Sequence, residues 1–100
     1  MREIFLSIRA SKKLNVLLNQ LENEWSEKVK INFISKLDKS LEQIRLFPQS
    51  AEESPLKKGL HRCVITKQTT IYYRFDSKKI QVVTLFDTRM DPDKLQNEIK

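Results

Sequence analysis

A chain of 100 residues has room for one hydrophobic core and not for two, so a single domain over residues 1–100 is expected. An apolar share of 39% beside 32% charged residues excludes wholesale disorder, and no apolar run approaches the length that spans a bilayer. Nineteen Lys and Arg against thirteen Asp and Glu give a net charge of +6, which suits nucleic acid, ribosome or an acidic protein as partner; an ordinary protein of a basic proteome would carry the same charge.

Residues 3 to 8 place Ile4, Leu6 and Ile8 at alternate positions, the period of a strand with one buried face. From Ser11 the period changes. Leu14, Leu17, Leu18, Leu21 and Trp25 fall at helical spacing, with Lys12, Lys13, Asn15, Asn19 and Gln20 on the other side. Ser26 is the expected N-cap of a second helix, with Glu27 in its first turn, where negative charge favours the helix dipole. That helix carries Val29, Phe33, Ile34, Leu37, Leu41 and Ile44 inward and stops near Phe47, because Pro48 cannot continue the hydrogen-bond ladder. A join this short makes the two helices an antiparallel hairpin.

Residues 48 to 59 hold two prolines and the only glycine, and read as a loop. The period then becomes two. Leu60–Thr66, Thr69–Phe75 and Ile80–Phe86 are rich in β-branched and aromatic residues and predict a three-stranded antiparallel meander. Asp91 as N-cap and Pro92 at the first helical position predict a short terminal helix. The expected fold class is α+β: an N-terminal strand, an antiparallel helical hairpin packed on an antiparallel four-stranded sheet, and a short C-terminal helix. The face away from the helices, carrying Thr70, Tyr72 and Arg74, is expected to be left to solvent or a partner.

Patterns for metal or cofactor chemistry are missing. One His and one Cys make no zinc site of the usual kind, and a chain with one glycine has neither a phosphate-binding Gly loop nor a nucleophile elbow, so no cofactor and no metal are expected. What remains is a cationic and aromatic group on the sheet: His61 and Arg62 on its second strand, Tyr72 and Arg74 on its third, Arg89 just past its fourth, with Lys57, Lys58 and Lys67 in the loops. Such a group binds phosphate and stabilises charge building on it, Arg by paired donation and Lys as a point charge, which is all that metal-independent attack by a 2′-hydroxyl needs besides an acid and a base. Each of these residues taken alone also fits a solvated sheet surface. Alternation turns His61 towards the helices with Cys63 and Ile65, where a structural histidine is the simpler reading. Cys63 reads as a small core residue, Asp91 as a helix cap rather than a metal ligand with Asp87 and Asp93, and Trp25 as a core or hinge anchor. A lone cysteine forms no internal disulfide, and Ser7 and Arg9 interrupt the apolar residues after Arg2, so the cytoplasm is the expected compartment, with no membrane partner.

At the meander the residues become recognisable. Lys57-Lys58-Gly59-Leu60-His61-Arg62, Thr66-Lys67-Gln68-Thr69-Thr70-Ile71-Tyr72-Tyr73-Arg74 and Val83-Thr84-Leu85-Phe86-Asp87-Thr88-Arg89-Met90-Asp91-Pro92 resemble the three C-terminal strands of RelE/ParE superfamily toxins of type II toxin–antitoxin systems. The likeness extends to the helix start at Trp25-Ser26 and the helix end at Phe47-Pro48. It implies a cytoplasmic growth-arresting toxin, neutralised by an acidic antitoxin encoded beside it. Two targets are implied. RelE-like members enter the ribosome and cut mRNA, whereas ParE-like members bind DNA gyrase without being enzymes. By the first resemblance Arg62 and Arg89 hold the phosphate, Tyr72 or His61 moves the proton, and Lys57, Lys58, Lys67 and Arg74 bind RNA. Residues 90 to 100 contain neither Tyr nor His, so the C-terminal acid or base of the mRNA-cleaving members is missing from its place. A third possibility is a detoxified member that only binds its antitoxin and regulates transcription.

Overall fold

The fold, taken from a computed structural model, is described for residues 2–87 and 92–99. In chain order it comprises β1 (Glu3–Leu6), α1 (Ile8–Glu24), α2 (Glu27–Leu46), a single 3-10 turn (Pro48–Ser50), β2 (His61–Val64), β3 (Thr69–Phe75), β4 (Lys79–Asp87) and α3 (Pro92–Glu98). The expected α+β architecture is present, with the strands ordered β1-β4-β3-β2.

Ser26 caps α2 as its sequence predicts, its Oγ accepting the Val29 N–H at 3.1 Å. The start of α1 differs. Ser7 rather than Ser11 begins it: the Ser7 hydroxyl accepts from Ala10 N–H at 3.0 Å and donates to the Val83 carbonyl at 2.6 Å, tying helix start to sheet. Ile8, which alternation assigns to the strand, is therefore the first helical residue and 77% exposed.

The sheet is mixed rather than wholly antiparallel. β1 runs parallel to β4, with Ile4 opposite Ile80 and Leu6 opposite Val82, while β2–β3 and β3–β4 are antiparallel. Period-two patterning says which face a strand buries and nothing about its direction. Between Tyr72 and Tyr73 the pairing with β4 slips by one, from Thr84 to Val82, so that Val83 is bulged out. The bulge resets the phase: Ile80, Val82 and Leu85 all pack into the core under the helices, although strict alternation would separate Val82 from Leu85.

Into that core α1 contributes Leu14, Leu17, Leu18 and Leu21, and α2 contributes Phe33, Leu37, Leu41 and Ile44. Each large aliphatic side chain that is wholly buried there contributes roughly 1.5–3 kcal/mol from water release. Ile71 and Tyr73 of β3 meet them from the sheet. The chain's one glycine, Gly59, has φ +82° at the turn into β2, a conformation that disfavours residues with a Cβ.

Candidate functional site: the outer face of the sheet

The outer face carries Arg62 of β2, Tyr72 and Arg74 of β3, and Thr84 and Phe86 of β4. It is not left open. Leu95 and Ile99 lie over it and close a second, smaller core with Leu60, Tyr72 and Phe86, leaving Tyr72 only 5% exposed. This corrects the expectation for Tyr72, which solvent does not reach: a terminal helix too short to hold itself in water is held here by burying its Leu95 and the Ile99 that follows it.

Polar contacts pin the same helix. Glu98 accepts from Lys13 Nζ of α1 and from Thr84 Oγ1, the latter at 2.7 Å. Lys13 also donates to the Leu85 carbonyl at 3.1 Å. Arg9 Nη1 donates to the Glu98 carbonyl at 2.8 Å, and Lys57 Nζ to that of Ile99 at 3.1 Å, so two cations satisfy carbonyls at the helix end. Burial pushes the Glu98 carboxyl up, but the hydrogen bonds from Lys13 and Thr84 and the charges of Lys13 and Arg9 outweigh it and hold the group below the usual glutamate range. Residues 13, 84 and 98 form no local pattern, and nothing in the sequence announced this network.

The residues singled out from sequence divide between the two faces. His61 lies with the helices, as alternation predicts: its Nδ1–H donates to the Ala51 carbonyl at 3.0 Å and its ring stacks on Tyr73 at 5.6 Å between centroids. Arg62 is on the outer face at the sheet edge, where Nε and Nη2 both lie 2.7 Å from Glu52 Oε1; that carboxylate raises the guanidinium pKa further. Arg74 shares this face one diagonal step from Arg62, opposite Gln81. Lys57 is drawn to α3, whereas Lys58 and Lys67 are exposed in loops. Arg89 and Asp91 lie outside the described residues.

Other expectations resolve locally. Cys63 is half-buried beside Ser40, and burial pushes its thiol up, so it is a packed residue and not a ready nucleophile. Trp25, expected as an anchor, is 73% exposed at the hairpin tip: with the chain turning at Trp25-Ser26 its ring has no element to pack on. No group of three or more His, Cys, Asp or Glu able to hold a metal occurs among the described residues. No helix among them is long and apolar enough to cross a membrane. A groove of about 370 Å³ runs between α1 and the end of the sheet, floored by Val16, Leu17, Leu85 and Phe86 with Lys12 and Lys13 among its walls.

Comparison with known proteins adds the lineage. A family model described as the ParE toxin of type II toxin–antitoxin systems (parDE) matches residues 4–92. A solved structure of a chromosomal ParDE toxin–antitoxin system from P. aeruginosa superposes with a TM-score of 0.71 at 11% identity, covering 87% of this chain and 96% of that one. YafQ from E. coli strain BL21(DE3) superposes with a TM-score of 0.56 at 17% identity, over 88% of this chain and 94% of its own. A mutant of E. coli YafQ gives 0.55 at 16% over the same shares. No curated protein matches the chain in sequence.

Proposed function

The chain belongs to the ParE toxin family of type II toxin–antitoxin systems, and from that premise we propose that it arrests growth as a non-enzymatic inhibitor of DNA gyrase in the cytoplasm. Family membership makes it the toxin of such a pair, with an antitoxin as its partner.

One observation carries the choice of target. Cleavage of RNA needs a proton-transferring group within hydrogen-bond reach of the phosphate that the arginines would hold. Among the described residues the two aromatic candidates for that role are poorly placed for it: Tyr72 faces Arg62 across the strand pair and hydrogen-bonds to it but is covered by Leu95 and Ile99, and His61 is on the opposite face with Nδ1 engaged by Ala51. Arg62 itself is already paired with Glu52 at the exposed sheet edge. Cations without a matched acid and base bind well and catalyse poorly, which suits an inhibitor that acts by contact.

The test is to induce the toxin from a repressed promoter and follow DNA and protein synthesis separately by label incorporation within minutes, alongside DNA supercoiling by purified gyrase. DNA synthesis should fall first, and the purified toxin should inhibit supercoiling. If protein synthesis stops first and transcripts are cut, the reading fails, and Arg62 and Arg89 become catalytic candidates. Harmless expression without antitoxin would instead identify a detoxified regulator.

A further inference from the structure

Arg74 has a donor that the fold leaves unanswered. It projects from β3 on the outer face, and its Nη2 is buried without a hydrogen-bond partner among the described residues. A guanidinium cannot shed its charge, so a buried N–H of this group without an acceptor is costly and calls for one from outside the chain. Beside it lies a recess of about 120 Å³ lined by Arg74, Phe75, Asp76, Lys79 and Gln81, room for one small polar group.

We propose that this recess receives a single Asp or Glu side chain of the antitoxin, its carboxylate gripped by Arg74 with Lys79 and Gln81 at the rim. Asp76 is engaged by its own turn through one oxygen: Oδ1 accepts from the Lys78 and Lys79 backbone N–H groups at 2.7 and 2.9 Å, and no bond from Arg74 Nη2 to it is formed. Those bonds hold Asp76 below the usual carboxylate range, and it stays charged at neutral pH. Two cations and one carboxylate therefore leave the lining one positive charge, the complement of one carboxylate. A nucleic-acid backbone asks instead for cations in a row. Of the other arginines around it, Arg62 is paired with Glu52, and Arg2 donates its Nε to the Asp76 carbonyl and lies over the Phe75 ring. A planar carboxylate also suits the fork of a guanidinium in a way that a point charge does not reproduce.

The proposal rests on the antitoxin partnership and stands whichever target the toxin hits. Titration calorimetry of the full-length toxin with the antitoxin encoded beside it tests it, using Arg74→Met and Arg74→Lys. Arg74→Met should weaken binding by at least about tenfold, and Arg74→Lys should restore only part of the loss. The melting temperature of the free Arg74→Met toxin should not fall, since an unpaired donor has been removed. Affinity within about twofold of the parent, well under the effect of a lost charged hydrogen bond, overturns the proposal. Should Arg74→Met fail to fold, the double variant Lys79→Ala, Gln81→Ala reads the rim: several-fold weaker binding supports the recess, and unchanged binding overturns it. Loss of gyrase inhibition by Arg74→Met with antitoxin affinity unchanged assigns the recess to the target and overturns the proposal as well.

Discussion

Tyr73 joins β3 to the end of α2 through one side chain. Its ring is wholly buried against His61 and Phe75, and its hydroxyl donates to the Pro48 carbonyl at 2.7 Å, just where proline has ended the helix. Burial, with a smaller contribution from Cys63, pushes the phenol up to about 12. The folded state thus holds the proton more tightly than the unfolded chain, whose phenol titrates near ~10. The stability linked to this proton is complete below that pH and is lost as pH rises towards about 12. Tyr73→Phe should cost about 1–2 kcal/mol at neutral pH, mostly from the orphaned Pro48 carbonyl, and should flatten the alkaline decline. Urea titrations at a series of pH values measure both effects; an equal alkaline slope in the variant would show that another group is responsible. Trp25 makes the opposite case. An indole this exposed supports little, so Trp25→Ala should change stability by no more than about 0.5 kcal/mol, and its fluorescence should report water before any unfolding. A core or hinge anchor would instead lose several kcal/mol.

At the scale of elements, α3 is the piece whose attachment is most open to experiment. Seven residues do not make a stable helix alone, so it persists through Leu95 and Ile99 beneath it and Glu98 beside it. Because the Glu98 carboxyl is depressed, its contribution is present at neutral pH and is lost as pH falls through and below the carboxylate range. Hydrogen exchange should find the α3 amides opening before those of β3 as acid is added, and Glu98→Gln should already show that opening at neutral pH. Equal protection of α3 and β3 at every pH would mean that the helix is held by burial alone. Much of the rest was legible. Ser26 and Pro48 bound α2 because capping and proline geometry are local, and Thr69–Phe75 was read at its full length from β-branched and aromatic density. What could not be read is non-local: the parallel entry of β1, the bulge at Val83 that breaks strict alternation, and the seating of α3 over Tyr72. The candidate site suffered most from this. Alternation placed Tyr72 and Arg74 on the outer face correctly, but burial of Tyr72 depends on residues more than twenty positions away.

For the whole molecule, the excess of six positive charges and the distribution of its ion pairs bear on how it would meet an antitoxin of opposite charge. Long-range attraction acts on the encounter, because fields from exposed Lys and Arg reach about a Debye length, roughly 10 Å at ~0.1 M salt, before contact is made. Once contact is made, apolar burial is much less sensitive to salt, and the groove floored by Val16, Leu17, Leu85 and Phe86 offers a surface for it. Salt should therefore act mainly on association. Raising ionic strength from about 0.05 M to about 0.5 M should slow antitoxin binding by roughly tenfold or more while changing dissociation much less, which stopped-flow mixing and chase experiments separate. The free toxin should respond differently. Its exposed ion pairs, Lys30–Glu22 and Arg62–Glu52, contribute little to begin with, while its net charge repels itself, so the same salt should leave its thermal stability unchanged or raise it. A toxin that lost stability in salt in step with its antitoxin affinity would instead have ion pairs as the main support of its fold, and the apolar core between the hairpin and the sheet would have to be weaker than its burial implies.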